Sequence, residues 1–193
     1  TKEEFDKDPV LYRFNYQLNK SGLVTKNVLK PNFEWSCEDI SDIKNNYKLG
    51  KYIILFPFSS AHLTIKRWPF YNELIQKIKE KFENKYQLVV APGPNEIKIA
   101  NEIDAKIILN NERALNISQL STLIKDSSFV IANDTGPAHM AAHLNAKGLV
   151  LFGSHTTAKK VSIERENFRA IQVSDLTKLS ADKVFQRMQE AIT

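Results

Sequence analysis

From about Tyr52 onward, short apolar runs alternate with stretches whose apolar residues recur every three or four positions. That alternation predicts a parallel sheet wrapped by helices. Tyr52-Ile-Ile-Leu-Phe56 reads as the first strand, and after a polar loop Pro69 opens a helix. Phe70, Leu74, Ile78 and Phe82 in that helix fall at intervals of four, so one stripe faces the sheet. Gln87–Ala91 and Lys106–Leu109 read as the second and third strands, separated by a short helix capped by Asn95 and running through Ile103. Asn116 and Gln119 have the spacing of a capping pair for a helix ending near Lys125. The apolar run that starts at Phe129 and breaks at Asn133, Gly148–Phe152 and Phe168–Val173 supply three more strands. Ser180 caps a final helix with Val184, Phe185, Met188 and Ile192 inward. The expected fold is α/β: a Rossmann-like parallel sheet with helices on both faces, occupying residues 51–193.

Residues 1–50 carry no sustained helix or strand period and read as a linker or lead-in segment, with its boundary near Gly50. Phe14, Tyr16, Leu18, Phe33 and Trp35 make it too apolar for a disordered tail, so some of them should pack on the core or on a partner domain. The 193 residues, 42% hydrophobic and 10% aromatic, are enough for one well-formed core and too few for two large ones. The chain begins with Thr1 rather than Met, which reads as an excised piece of a longer protein ahead of a processed product, so half a site is one expectation for any site it carries.

Charge and cysteine usage narrow the function classes. The net charge of +5 is spread over many lysines, without the arginine-rich, aromatic-interleaved clusters of a nucleic-acid module. Nucleic acid is therefore not an expected partner, whereas phosphorylated ligands or an anionic membrane surface remain compatible. A lone Cys37 forms neither an internal disulfide nor a cysteine-based metal site and suits a reducing cytosol. No apolar run approaches the ~18 residues of a membrane-spanning helix, and the charged start Thr1-Lys-Glu-Glu-Phe5 does not resemble a signal peptide. A soluble domain is expected.

Three polar constellations follow predicted strands. The richest is Asn133-Asp-Thr-Gly-Pro-Ala-His139, where an apolar run breaks into a turn and Pro137 opens a helix. Ligands of open α/β sheets bind in the crevice at the carboxyl ends of the strands, and a following helix start attracts phosphate. Asp134 can accept from sugar hydroxyls, Thr135 and the Gly136 amide can hold phosphate, and His139 can add a donor; the bland alternative makes Asp134 a helix cap. After the first strand, Ser59 and Ser60 offer hydroxyls, and Lys66 or Arg67 can bring positive charge to a diphosphate, unless they are a surface basic pair beside a packed Trp68. After the second, Ala91-Pro-Gly-Pro-Asn-Glu96 places a carboxylate to accept from ribose hydroxyls or simply to sit at a helix amino end. Asp134 and Lys66 are expected in a solvent-accessible cleft, where their replacement spares folding stability.

His139 and His143 also have the spacing of paired zinc ligands, which makes a metal hydrolase an alternative. Met140 stands where such helices carry their glutamate, and no third ligand presents itself. Neither Gly-x-Ser-x-Gly nor Gly-x-x-x-x-Gly-Lys-Ser/Thr occurs, and six glycines are too sparse for a dinucleotide fingerprint.

Taken in order, Pro57 with Ser59 and Ser60, Lys66-Arg-Trp-Pro69, Gly93-Pro-Asn-Glu96, Asn133-Asp-Thr-Gly-Pro-Ala-His139 with Ala141, Ala142 and Leu144, and Leu151-Phe-Gly153 resemble the carboxyl-terminal half of family 9 glycosyltransferases, the lipopolysaccharide heptosyltransferases. The resemblance covers roughly residues 50–193, and the lead-in, with Leu18, Gly22 and Pro31, is similar to the segment joining the family's two domains. It implies a GT-B architecture, two Rossmann-like domains facing a cleft, with this chain supplying the nucleotide-sugar half. By carry-over Lys66 meets the diphosphate or sugar, Glu96 the ribose, Asp134 the transferred sugar, and Thr135 with the Gly136 amide the phosphates. Ser59 and Ser60 join that donor site, and His139 steadies the turn or the leaving diphosphate. Lys66 and Asp134 are the implied catalytic pair.

The implied reaction is inverting transfer of heptose from an ADP-sugar to a lipopolysaccharide core acceptor, with no metal and no cofactor beyond the donor. The carboxylate base belongs to the other domain, as does the lipid-linked acceptor, so this part alone should not turn over. The implied location is cytoplasmic, peripheral to the inner face of the membrane. A non-catalytic nucleotide-sugar-binding module is the other alternative. Two departures from the family pattern stand out: Phe58 replaces a usual glycine, with a loop to Lys66 about two residues longer than usual, and Ser154-His-Thr-Thr-Ala158 replaces a Pro-Thr run.

Overall fold

A computed structural model describes residues 7–60, 62–83 and 85–192; the charged start at residues 1–5 lies outside them. Six parallel strands form one sheet: β1 (Tyr52–Phe56), β2 (Gln87–Val90), β3 (Lys106–Ile107), β4 (Phe129–Asn133), β5 (Gly148–Phe152) and β6 (Phe168–Gln172). Their spatial order is β3-β2-β1-β4-β5-β6. From β1 the chain winds outward through β2 to β3, then returns to place β4 on the other side of β1, so the winding reverses between β1 and β4. That switch point opens a crevice at the strands' carboxyl ends.

All five residues of β1, of β4 and of β5 are buried. Such continuous apolar strands are what a sheet covered on both faces requires. On one face Ile53 and Leu55 pack with Leu74, Ile75 and Ile78 of α3 (Tyr71–Phe82) and Val184 and Met188 of α8 (Ala181–Ile192). On the other, Tyr52, Ile54 and Phe56 pack with Leu123 and Ile124 of α5 (Ile117–Lys125) and with Ala138, Ala141 and Ala142 of α6 (Gly136–His143). The short helices α4 (Ile97–Ala100) and α7 (Ala158–Val161) complete the crossovers.

Capping chemistry sets two of the boundaries as the sequence predicts. The Asn116 side chain accepts from the Gln119 amide at 2.8 Å while Gln119 accepts from the Asn116 amide at 3.2 Å, and the Ser180 hydroxyl accepts from the Lys183 amide at 3.3 Å. Elsewhere the bounds shift. Asn95 does not cap α4; Glu96 closes the preceding turn, its amide donating to the Gly93 carbonyl at 2.9 Å, and the helix starts at Ile97. Strand β3 stops at Ile107 because the Leu109 amide turns to the Tyr47 hydroxyl at 3.1 Å instead of continuing a ladder.

The lead-in holds more structure than its pattern predicts: α1 (Val10–Lys20), a single 3-10 turn at Glu34–Ser36, and α2 (Ser41–Asn46). In α1 Val10, Leu11, Phe14 and Leu18 share one arc of about 100° while Tyr12 and Tyr16 lie on the opposite side, and none of its residues is fully buried. Its Leu11 amide reaches the Ser162 hydroxyl at 3.4 Å. The second half of the lead-in is anchored. Ile40 and Ile43 enter the core beside Tyr52, the Phe33 amide donates to the His143 carbonyl at 3.1 Å, and Ser36 donates to Ser121 at 2.8 Å. The isolated aromatics divide accordingly: Phe33 packs against the core, whereas Trp35 is 80% exposed and Phe14 and Tyr16 stay about half exposed.

Candidate functional site

At the switch point the carboxyl ends of β1, β2 and β4 surround a cleft of about 480 Å³. Ser59, Ser60, Lys66, Glu96, Asp134, Thr135, Gly136 and His139, all singled out in the sequence, line it. They arrive from three strand ends because each strand's polar follow-on leaves the sheet at the same edge. Val90 and Pro92 at the end of β2, with Leu115 just before α5, form an apolar part of the wall.

Asp134 is the hub. Its Oδ2 accepts from Lys66 Nζ at 2.7 Å and lies 3.0 Å from His155 Nε2, and its Oδ1 lies 3.6 Å from His139 Nε2, an electrostatic contact too long for a hydrogen bond. Burial opposes ionisation of this carboxyl, but His139, Lys66 and His155 together outweigh it and hold its pKa well below the usual carboxylate range. Asp134 is only 6% exposed. The expectation of a solvent-accessible carboxylate is thus corrected: it sits at the floor of the cleft, beneath a Lys66 side chain that is 22% exposed.

Behind Asp134, fully buried Asn133 ties the site's segments together. Its Nδ2 donates to the Pro57 carbonyl at 2.7 Å, and its Oδ1 accepts from the Trp68 amide and the Tyr71 hydroxyl, both at 3.3 Å. One side chain thereby fixes the ends of β1 and β4 and the entry to α3. Trp68, packed at 2% exposure, donates its indole N–H to the Leu179 carbonyl at 2.7 Å. Arg67 does not face a diphosphate: its Nε donates to the Ser59 hydroxyl at 3.3 Å and its Nη2 to the Ser59 carbonyl at 2.8 Å. Ser59 in turn donates to the Leu63 carbonyl at 3.1 Å, so its hydroxyl is engaged in holding the loop, while Ser60 is exposed.

Thr135 stands at the N-cap of α6 in extended conformation, its hydroxyl donating to the Asn133 carbonyl at 3.3 Å. Gly136 follows as the first helical residue, where an amide has no intrahelical acceptor. A Cβ added at Gly136 would meet nothing within 4 Å, so the backbone there borders open space and the amide is approachable. The Glu96 carboxylate turns back to accept from the Gly93 amide at 2.8 Å, which engages one of its two oxygens.

His143 belongs to another environment. Its Nδ1 accepts from an Arg165 guanidinium nitrogen at 3.2 Å; burial, then the Arg165 and His139 charges, lower its pKa to about 4. With His139 turned to Asp134 and a guanidinium on His143, the two rings do not form a metal pair. Among the described residues no group of three or more His, Cys, Asp or Glu side chains is arranged to hold a metal ion.

Two functional candidates escaped the sequence reading. Asn133 ended an apolar strand and was visible as a polar break, but its partners are 62 to 76 residues away. His155 stood inside a segment noticed only as a departure from the family pattern.

The sequence model of "Glycosyltransferase family 9 (heptosyltransferase)" matches residues 7–188. The chain belongs to glycosyltransferase family 9. No curated protein matches it in sequence. Among solved structures, E. coli heptosyltransferase WaaC with ADP-2-deoxy-2-fluoro heptose superposes with a TM-score of 0.62 at 18% identity, over 74% of this chain and 44% of that one. E. coli ADP-heptose lps heptosyltransferase II gives 0.65 at 19% identity over 88% and 53%, and the glycosyl transferase family 9 protein of Veillonella parvula DSM 2008 gives 0.74 at 14% over 96% and 60%. The α/β fold is that of these GT-B proteins, and this family 9 chain spans about half of their length. No helix among its described residues is long and apolar enough to cross a membrane.

Proposed function

We propose that this chain is the nucleotide-sugar-binding part of a glycosyltransferase that moves heptose, with inversion, from an ADP-sugar to a lipopolysaccharide core acceptor. The observation that carries the reading is the cleft itself. A cationic side chain, an exposed helix-start residue and the Glu96 carboxylate, from three different strand ends, line one cleft, in a family for which a heptosyltransferase of similar fold holds an ADP-heptose analogue.

In this reading the diphosphate lies between Lys66 and the start of α6. Negative charge grows on it as the glycosidic bond breaks, and the Lys66 ammonium with the Gly136 amide offsets that charge in a site walled by apolar residues. Thr135 adds a hydroxyl, and His139, 35% exposed on the first turn of α6, lies within reach of the same group. Asp134 keeps Lys66 aimed; of its roughly four acceptor positions, those left by Lys66 and His155 serve the sugar hydroxyls. Ser59 and Arg67 shape the loop, Ser60 faces the ligand, and Glu96 receives ribose hydroxyls through its second oxygen. The general base and the lipid-linked acceptor belong to the family's other domain, which engages the inner face of the membrane peripherally. Lysine and amide charge take the part a metal plays in other transferases, and no cofactor beyond the donor is involved.

A titration of the isotope-labelled chain with ADP tests this. Signals of Thr135 and Gly136 should move, with a Kd between roughly 1 mM and 10 μM, or about 4 to 7 kcal/mol, because one wall of the cleft is lacking. A folded chain whose spectrum is unchanged at about 10 mM ADP, a concentration that would fill most sites of ~1 mM affinity, would overturn the reading.

A further inference from the structure

The transferase reading leaves His155 without a role, although it touches the hub of the site. Its side chain is 10% exposed, and Nε2 stands 3.0 Å from Asp134 Oδ2. Ionised Asp134 can only accept, so Nε2 carries the proton and donates. The other ring nitrogen, Nδ1, is buried with no hydrogen-bond partner among the described residues. Among those residues the ring's polar contact is with Asp134.

Its surroundings fix its direction. The imidazole stacks on Phe152 at the end of β5, with ring centroids 5.8 Å apart and planes 17° apart. Gln172 at the end of β6 clamps the loop on both sides of it, donating through Nε2 to the Gly153 carbonyl at 2.7 Å and to the Thr156 carbonyl at 3.1 Å. At Gly153 an added Cβ would lie 3.5 Å from the Ile65 carbonyl and 3.6 Å from His155 Nδ1. The β5 loop thus rests against the 3-10 turn Thr64–Lys66 that carries the lysine. A lysine side chain has many rotamers, and a single buried carboxylate with freedom of its own would hold it loosely.

We propose that His155 is a positioning residue of the donor site: by donating to Asp134 Oδ2 it fixes the carboxylate and, through it, aims the Lys66 ammonium at the rim where the diphosphate binds. The diphosphate part of this inference rests on the transferase reading; the aiming of Lys66 does not. The chain carries the device on β5 and β6, outside the residues that line the cleft, so it acts on the ligand only through Asp134.

Two measurements on the whole chain separate the possibilities, using native protein, His155→Phe, which keeps a ring on Phe152 but removes the donor, and His155→Gln, which restores one. The first is the acetylation rate of Lys66 by trace acetic anhydride, read by peptide mass spectrometry. It should rise at least ~3-fold in His155→Phe as the ammonium is freed, and return towards the native rate in His155→Gln. The second is affinity for ADP and for adenosine. His155→Phe should weaken ADP by about 5- to 10-fold and leave adenosine unchanged, with ADP recovered in His155→Gln. The proposal is overturned by a folded His155→Phe with native Lys66 reactivity, by equal losses for ADP and adenosine, or by no rescue in His155→Gln. Should His155→Phe not fold, His155→Leu takes its place in both comparisons. If native protein takes up no ADP, the transferase reading fails, and Lys66 reactivity alone decides whether His155 aims the lysine.

Discussion

At the scale of single residues, the structural role of Asp134 and the role proposed for it in the donor site have one cause. A carboxylate with 6% exposure persists as an anion only because Lys66, His155 and His139 surround it. Asp134→Asn replaces that anion with an amide whose NH2 faces donors, so it should cost stability, about 1 to 3 kcal/mol in denaturant unfolding, as well as weakening ADP binding. Unchanged stability would place Asp134 outside the network. The pH dependence has a definite sign. The folded-state pKa of Asp134 is depressed, so its contribution is fully present above the unfolded carboxylate value of about 4 and is lost as pH falls further, through the depressed value. His143 contributes at milder acidity. Its folded-state pKa is lowered to about 4 by burial, with the Arg165 and His139 charges adding to it. The unfolded chain binds that proton near pH ~6.5, so the His143 contribution is present above this value and lost as pH falls from there towards 4. His143→Gln, which keeps an acceptor for Arg165, should flatten the stability profile in that window. An unaltered slope would assign the sensitivity to another group.

At the scale of elements, the sheet leaves no room at Gly148, where a Cβ would lie 2.4 Å from the Val130 carbonyl oxygen and 2.8 Å from the Phe168 ring. Both obstacles are in or beside neighbouring strands, so Gly148→Ala must push β5 away from β4 or displace Phe168. It should destabilise by about 1 to 3 kcal/mol or more, whereas Gly136→Ala, with open space around it, should fold normally. Equal stability of the two variants would contradict this packing. The strands themselves were legible because burial on both faces demands apolar runs: β1 and β5 appear in the sequence with the bounds they have in the fold, and β4 runs one residue further, through the polar break at Asn133. The capping box of α5 was legible because its chemistry is local, with Asn116 and Gln119 three residues apart. Helix α1 was missed although Val10, Leu11, Phe14 and Leu18 share one face: Tyr12 and Tyr16 on the other side dilute that stripe, and none of its residues enters the core.

At the scale of the whole molecule, the rim of the cleft was legible and its wiring was not. Polar residues that follow strands must gather at one edge once the strands are parallel, which brought Lys66, Glu96 and Asp134 together from segments up to 68 positions apart. The sequence could not show that His155 approaches Asp134 from β5, or that Arg67 turns away to Ser59, because those depend on side-chain direction across three loops. The wiring has a measurable consequence for the open site. Under the proposed function the ligand is held from one side, and the diphosphate would meet a Lys66 side chain that is 22% exposed and so within reach of solvent ions. Raising salt from about 20 to 500 mM shortens the screening length from roughly 20 to 4 Å. ADP affinity should therefore fall several-fold, while adenosine, which carries no charge itself, should be nearly insensitive. Lys66→Ala should weaken ADP by about 10-fold at low salt, the scale of one charge-assisted contact, and remove most of the salt dependence. The same salt slope for ADP in Lys66→Ala as in native protein would mean that another cation receives the diphosphate, and that the Lys66–Asp134 pair serves the fold rather than the ligand.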